Sequence, residues 1–149
     1  MAAGGEGTLR LGNAYTRKIA SAPSMAFLTL SYLYVGTANF VRVVAYYHDV
    51  LGAELVWNLS GFGAHVAAFR VGGGPLLLLA DHRPAPSCMP VYEVADLKET
   101  ARTLKKRGWK PDGRAFEIPN GPCLAFEDPS RNRYAFFENV RPHPFGGES

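Results

Sequence analysis

Few residues of this sequence have a type and spacing suited to chemistry. Glu93 lies in a short run of strand-forming residues, and a carboxylate in apolar surroundings has a raised pKa and can act as a general acid or base. His65 and His82 could bind a metal ion, although a histidine on a strand is more often packed or exposed than functional. No Ser–His–Asp arrangement, phosphate-binding glycine loop or paired carboxylates stand out. Glu93 is therefore the candidate catalytic residue, the alternative being a rim carboxylate paired with an arginine.

Composition and charge exclude several classes of protein. Hydrophobic residues make up 47% and charged residues 19% of the 149, which is typical of a globular domain. The net charge is only +3, and the basic cluster at 105–107 ends a helical pattern, so no nucleic-acid surface is expected. The longest apolar run, residues 75–80, is far shorter than the roughly 18 residues of a membrane helix, so no membrane contact is expected. Cys88 and Cys123 lack CxxC spacing and follow no secretion signal, which predicts reduced thiols and a cytoplasmic location.

The first half of the chain predicts a strand, a helix and three more strands. Residues 25–35 are rich in aromatic and aliphatic side chains, as in a strand. Asn39 is a suitable N-cap for a helix in which apolar residues recur every three or four positions until Gly52 ends it. Shorter strands are expected at residues 54–59, 64–71 and 75–81.

The second half repeats this order after a linker at residues 82–88, with a period of about 60 residues. A strand at 90–94 precedes a helix that begins after Asp96 and ends at Gly108. Further strands are expected at about residues 109–118, 123–127 and 134–138. The repeat predicts an α+β fold in which two βαβββ modules form one curved mixed sheet.

These modules, at about 25–82 and 88–140, would form one domain at 25–140. Residues 1–24 are expected to be a flexible N-terminal tail, and residues 141–149 a C-terminal tail. Four strands with one helix cannot cover both faces of a half-sheet. Two halves that pair would leave a cup on the inner side, where a ligand could bind.

Three local motifs support this order. The first helix ends in AYYHDVLG, the second module opens with VYEVADL, and it closes with GPCLAFEDPSRNRYAFFE. In this order and spacing, residues 27–140 resemble the glyoxalase/bleomycin-resistance/extradiol-dioxygenase (vicinal oxygen chelate) superfamily. The chain departs from the family pattern after the Asp128-Pro129 turn, where Arg131-Asn132 replaces the usual Gly-Asn.

The resemblance implies a divalent metal at the floor of the cup, held by His, Glu or Gln on the first, fourth, fifth and eighth strands. The best-aligned positions carry side chains that cannot serve as such ligands, because three are hydrocarbon and one is a thioether. They are Leu30, Leu78, Met89 and Ala135. We therefore expect no metal cofactor; the alternative is a divalent ion held elsewhere by His65, His82 or Glu93.

Without a metal, the cup would be an apolar and aromatic pocket suited to an aromatic or apolar small molecule. Its expected ligand-binding residues are Tyr32, Tyr34, Trp57, Phe62, His65, Met89 and Phe137. We predict a binding protein similar to the bleomycin-resistance branch, which the resemblance implies is a homodimer. The alternatives are a metal-dependent lyase, isomerase or dioxygenase with ligands at other positions, a metal-free enzyme that uses Glu93 or a tyrosine as acid or base, and a partner module whose cup is filled by its own side chains.

Overall fold

The computed structural model describes residues 7–11, 15–19, 27–61 and 63–142, with side chains described from Phe27 onward. In this part of the chain, eight strands form one mixed sheet in the order β4-β5-β6-β3-β7-β10-β9-β8, and β1 and β2 form a separate pair. The strands are β1 (Gly7–Leu11), β2 (Tyr15–Ile19), β3 (Phe27–Gly36), β4 (Glu54–Gly61), β5 (Ala64–Arg70), β6 (Leu76–Ala80), β7 (Cys88–Val94), β8 (Phe116–Ile118), β9 (Gly121–Glu127) and β10 (Arg133–Glu138); the helices are α1 (Phe40–Ala45) and α2 (Leu97–Lys105).

The sheet consists of two modules with the same strand pattern. In each module the first strand pairs in parallel with the last, β3 with β6 and β7 with β10. The other pairs within a module are antiparallel, and β3 joins β7 antiparallel at the centre of the sheet. The predicted α+β fold of two βαβββ modules in a curved mixed sheet is confirmed.

Local sequence explains where the helices begin and end. The Asn39 side chain accepts a hydrogen bond from the Arg42 amide at 3.1 Å, and Asp96 caps α2 by accepting from the Glu99 amide at 2.9 Å. After α1 the chain continues in a π-helical turn, Tyr46–Val50, before Gly52 turns it at a φ of 69°. The predicted first helix is thus partly π-helical. Neither described helix is long enough to cross a membrane.

The strand predicted at 109–118 is much shorter in the structure. Only Phe116–Ile118 pair with β9, and residues 109–115 form a connection. Pro111 has no amide hydrogen to donate to a neighbouring strand, and Gly113 has a φ of 90°, so neither residue suits a continuous strand.

Both helices pack on one face of the sheet. Phe69 and Leu79 are buried in the cluster that also takes up the apolar side of α1. Phe136 and Val94 are buried with Leu97 of α2. The opposite face, which we call the concave face, carries its own buried cluster: Tyr34, Ala68, Leu78, Ala80, Met89, Val91, Ile118, Cys123, Ala125, Ala135 and Phe137.

The region predicted as an N-terminal tail contains secondary structure. β1 pairs antiparallel with β2, from Gly7 opposite Ile19 to Leu11 opposite Tyr15. This pair was not predicted from the sequence, and each of its strands has only five residues. The division into tails and a domain at 25–140 stays a prediction.

Candidate functional site

The floor of the concave face is built by the four central strands. Tyr34 of β3 lies between Leu78 of β6 and Met89 of β7. Ala135 of β10 lies beside Val91, the next residue of β7 on the same face. The floor residues Leu78, Met89 and Ala135 are at most 4% exposed, so this part of the floor is apolar and buried.

The fourth predicted floor position, Leu30, lies elsewhere. The register between β3 and β7 shifts between Leu30 and Tyr32. Leu30 consequently pairs with Tyr92 and lines a groove on the helix-bearing face together with Phe27. Because successive strand residues face opposite sides, the shift gives the floor positions of β3 to Tyr32 and Tyr34 instead.

These residues do not fit the metal that the resemblance implies. Two aliphatic side chains and a thioether offer no ligand that a hard divalent ion prefers, and a protonated phenol such as that of Tyr34 is a poor one. Over the described ranges, no three His, Cys, Asp or Glu side chains come together. Among the alternative donors, His82 lies at the rim of the concave face, whereas His65 lies on the other face.

His65 has a structural partner. Its Nδ1 lies 2.8 Å from Asp81 Oδ2, and its backbone amide donates to Asp81 Oδ1 at 2.9 Å. Its ring lies 5.3 Å from that of Phe40 in α1. The backbone hydrogen bond from His65, and after it the side-chain one, lower the pKa of Asp81. His65 therefore ties β5 to the end of β6 and does not meet the other predicted ligand-binding residues.

The remaining predicted ligand-binding residues share the concave face. Tyr34, Met89 and Phe137 belong to its buried cluster, and Tyr32 and Trp57 pack against that cluster. Phe62, the seventh member of the predicted set, lies outside the described residues.

Tyr32 and Phe137 fill their part of the cup. Their ring centroids are 5.6 Å apart, and Phe137 is only 1% exposed. The Tyr32 hydroxyl donates to Asn120 Oδ1, and Asn120 Nδ2 donates to the Arg141 carbonyl at 3.2 Å. Burial, and then the charge of Glu93, raise the pKa of Tyr32. The partly exposed Glu93 pairs with Phe137 between β7 and β10, at this end of the cup. This end of the cup is occupied by the protein itself.

The other end holds a cavity of about 180 Å³. Tyr34 and Met89 form its floor, and His82 and Arg83 reach it from the connection after β6. The other side chains that line it are Phe116, Glu117, Ile118, Ala125 and Arg133.

Several of these lining residues were missed by the sequence analysis, which treated residues 82–88 as a linker. The adjacent basic pair His82-Arg83 beside two prolines was the available signal. Arg133, which begins β10, carried no comparable signal. Its position at the cavity depends on the pairing of β10 with β7 and β9.

The charged groups around the cavity differ in their pairing. Arg133 Nη1 pairs with Asp112 and lies 3.5 Å from Glu127 Oε2. Arg83 Nε is buried and has no hydrogen-bond partner, and no carboxylate of the described chain pairs with Arg83. Burial, and then the charge of Arg133, lower the pKa of Arg83.

Burial also raises the pKa of Tyr34 to about 12. Its phenol is therefore protonated at neutral pH and available as a donor. The ring of His82 meets that of Tyr34 edge-on at 5.8 Å. The cavity thus combines an apolar floor with a phenol, an imidazole and two guanidinium groups.

Two larger grooves lie on the helix-bearing face. One, of about 590 Å³, runs along Phe27–Leu30 beside Tyr92 and Phe126; the other, of about 740 Å³, lies beside α2. Neither contains a predicted ligand-binding residue, and both are separated from the concave face by the sheet. We therefore take the smaller cavity as the candidate site.

Comparison with known proteins agrees with this architecture. Residues 29–136 match the family described as the Glyoxalase/Bleomycin resistance protein/Dioxygenase superfamily. The chain belongs to this superfamily. The resemblance inferred from the sequence motifs is thereby confirmed, while no curated protein matches the chain.

Solved structures share the fold at low sequence identity. Methylmalonyl-CoA epimerase from Mycobacterium tuberculosis is 18% identical, with a TM-score of 0.68 over 81% of this chain and 94% of that one. A hypothetical protein from Bacillus halodurans C-125 is 13% identical, with a TM-score of 0.65 over 80% and 97%. A single-residue variant of methylmalonyl-CoA epimerase from Streptomyces coelicolor, in complex with 2-nitronate-propionyl-CoA, is 12% identical, with a TM-score of 0.64 over 77% and 99%. These similarities establish the fold alone.

Proposed function

We propose that this protein binds a small molecule in the cavity of the concave face and holds no metal at the family's ligand positions. The observation that carries the proposal is the buried apolar floor, Leu78, Met89 and Ala135, next to a cavity that the side chains do not fill. A pocket with an apolar floor and a few converging polar groups is the usual form of a small-molecule site.

The lining favours a compact ligand with an aromatic or apolar part. Tyr34, Met89 and Ile118 offer an aromatic ring, a thioether and a branched aliphatic chain. A cavity of about 180 Å³ is close to the size that accommodates a benzene ring. Such a ligand would stack against Tyr34 while its polar end faces the rim.

We further propose that the protein forms a homodimer through the edge of the sheet at β4. Leu55, Val56 and Leu59 are 41%, 36% and 39% exposed on this edge strand. An edge strand with exposed apolar side chains is a favourable surface for association. The cytoplasmic location also remains our proposal, supported by Cys88 and Cys123, which form no disulfide.

Metal analysis of protein purified without a histidine tag tests the proposal that no metal is held. Elemental analysis should find far less than one equivalent of any divalent transition metal per chain. A stoichiometric, tightly bound ion would instead favour the alternative of a metal-dependent lyase, isomerase or dioxygenase with ligands at other positions.

A thermal-shift screen of small aromatic compounds tests the proposal that the cavity binds a small molecule. Compounds that fit should raise the melting temperature of the unchanged protein. Ala125→Leu should abolish these shifts, because Ala125 lines the cavity and is 3% exposed, so a larger side chain there would take up cavity volume. Ala95→Leu, at an exposed position, is the matched control. If no compound raises the melting temperature of the unchanged protein, the proposal is wrong. Circular dichroism establishes that both variants are folded.

A further inference from the structure

Arg83 carries hydrogen-bonding capacity that the described chain does not use. A guanidinium has five N–H donors and no acceptor, and a buried donor without a partner costs about 1–3 kcal/mol. Arg83 Nε is such a donor, and the side chain lines the cavity beside Tyr34. The cost would be offset by an acceptor that enters the cavity.

The carboxylates near the cavity are already paired with other cations. Glu117 Oε1 accepts from Arg141 Nη2 at 2.6 Å. Asp112 and Glu127 both pair with Arg133. Arg83 therefore lies near the guanidinium of Arg133 and has no carboxylate partner among the described residues. The pKa of Arg83 is lowered by its burial and by the charge of Arg133.

From this arrangement we infer that the ligand of the cavity is a small carboxylate, whose carboxylate group binds Arg83 while its apolar part lies on Met89 and Ile118. The inference rests on the small-molecule function proposed above and adds the chemical class of the ligand. The Tyr34 hydroxyl is a second donor at the same end of the cavity, since it makes no hydrogen bond to another described residue. A planar guanidinium can bind a carboxylate through two parallel hydrogen bonds.

The size and lining of the cavity favour a carboxylate over a phosphate. A phosphate monoester carries between one and two charges near neutral pH and several strongly hydrated oxygens. The cavity offers Arg83 as the unpaired guanidinium, and Met89, Ile118 and Ala125 would bury part of the ligand away from water. A single negative charge attached to an apolar body matches this lining better.

Benzoate, benzamide and inorganic phosphate are suitable probes, because benzamide has nearly the shape of benzoate without its charge. Calorimetry and chemical-shift mapping should show that benzoate binds the full chain about tenfold or more tightly than benzamide. Arg83→Gln should lower the benzoate affinity at least about tenfold and leave the benzamide affinity unchanged. Arg42→Gln removes an exposed arginine from α1 and should change neither.

The possible failures are distinguishable. Equal affinity for benzoate and benzamide, with no effect of Arg83→Gln, would overturn the carboxylate inference and leave the binding function intact. Binding of phosphate in place of benzoate would also overturn it. If no compound of the aromatic screen binds either, the proposed function fails with it. Thermal melts of both arginine variants establish that each is folded.

Discussion

Arg131 stands where the superfamily usually has glycine, and its backbone adopts the conformation that glycine prefers, with a φ of 71°. The turn is held by Asp128 Oδ1, which accepts from the amides of Ser130 at 2.8 Å and Asn132 at 2.9 Å. Hydrogen bonds from the side chain and then the backbone of Asn132 lower the pKa of Asp128. The closing hairpin thus holds an arginine in a backbone conformation that favours glycine.

At the same scale, the contact of Tyr32 with Asn120 yields a first prediction. Tyr32→Phe should lower the free energy of unfolding by about 1–3 kcal/mol, because it leaves the buried Asn120 Oδ1 without its donor. Urea denaturation followed by circular dichroism measures the change. Tyr134→Phe is the control: its ring stacks on Phe126 at 5.6 Å, and its hydroxyl makes no hydrogen bond to a described residue. Equal stability of the two variants would show that the Asn120 contact contributes nothing.

At the scale of elements, the end of β3 positions the connection that carries His82 and Arg83. The Gly36 amide donates to the Ser87 carbonyl at 3.2 Å, and the Thr37 amide donates to the Ala80 carbonyl at 3.0 Å. A Cβ at Gly36 would overlap the Pro84 carbonyl oxygen, so the connection packs directly on the glycine backbone. A rigid strand end therefore fixes one wall of the candidate site.

Gly36→Ala should displace this wall. We expect a loss of about 1–3 kcal/mol in the free energy of unfolding, as for other overpacked sites, together with weaker benzoate binding. Gly61→Ala is a matched control, since a Cβ there meets nothing within 4 Å. Denaturation and calorimetry on the two variants measure both effects. If Gly36→Ala behaves like Gly61→Ala in both, the connection is free to move and does not define the site.

At the scale of the whole molecule, the sheet separates a packed face from a face that is partly open. Its helix-bearing face contains the two clusters under α1 and α2, which supply core packing. Its concave face has a core that is filled at the Tyr32 end and open at the Tyr34 end. The side chains of the protein therefore fill the cup at one end only.

The proposed homodimer gives a prediction at this scale. Size-exclusion chromatography with light scattering should give twice the 16.2 kDa of one chain. Combined replacement of Leu55 and Leu59 by lysine should yield a folded monomer, because charged residues on an edge strand oppose association. Leu28→Lys, at a position 61% exposed on β3, should leave the dimer intact. A monomeric unchanged protein would contradict the proposal.

The sequence by itself determined the order of the elements. The N-caps Asn39 and Asp96, the glycines that follow the helices and the Asp128-Pro129 turn act within a few residues, so local sequence encodes them. The repeat of that order, with the motifs of the closing hairpin, sufficed to predict the two modules and the superfamily. The apolar character of Leu78, Met89 and Ala135 was likewise evident from sequence position.

Only the tertiary structure decided which residues meet. The register shift in β3 moved Leu30 off the floor and brought in Tyr32, and the pairing of β5 turned His65 toward α1. Arg83 lies in the connection between the modules and Arg133 in the second module, and they reach one cavity because this connection packs on the sheet that both modules share. Local sequence sets the alternation of side chains along a strand, but the pairing with neighbouring strands fixes which face each set occupies.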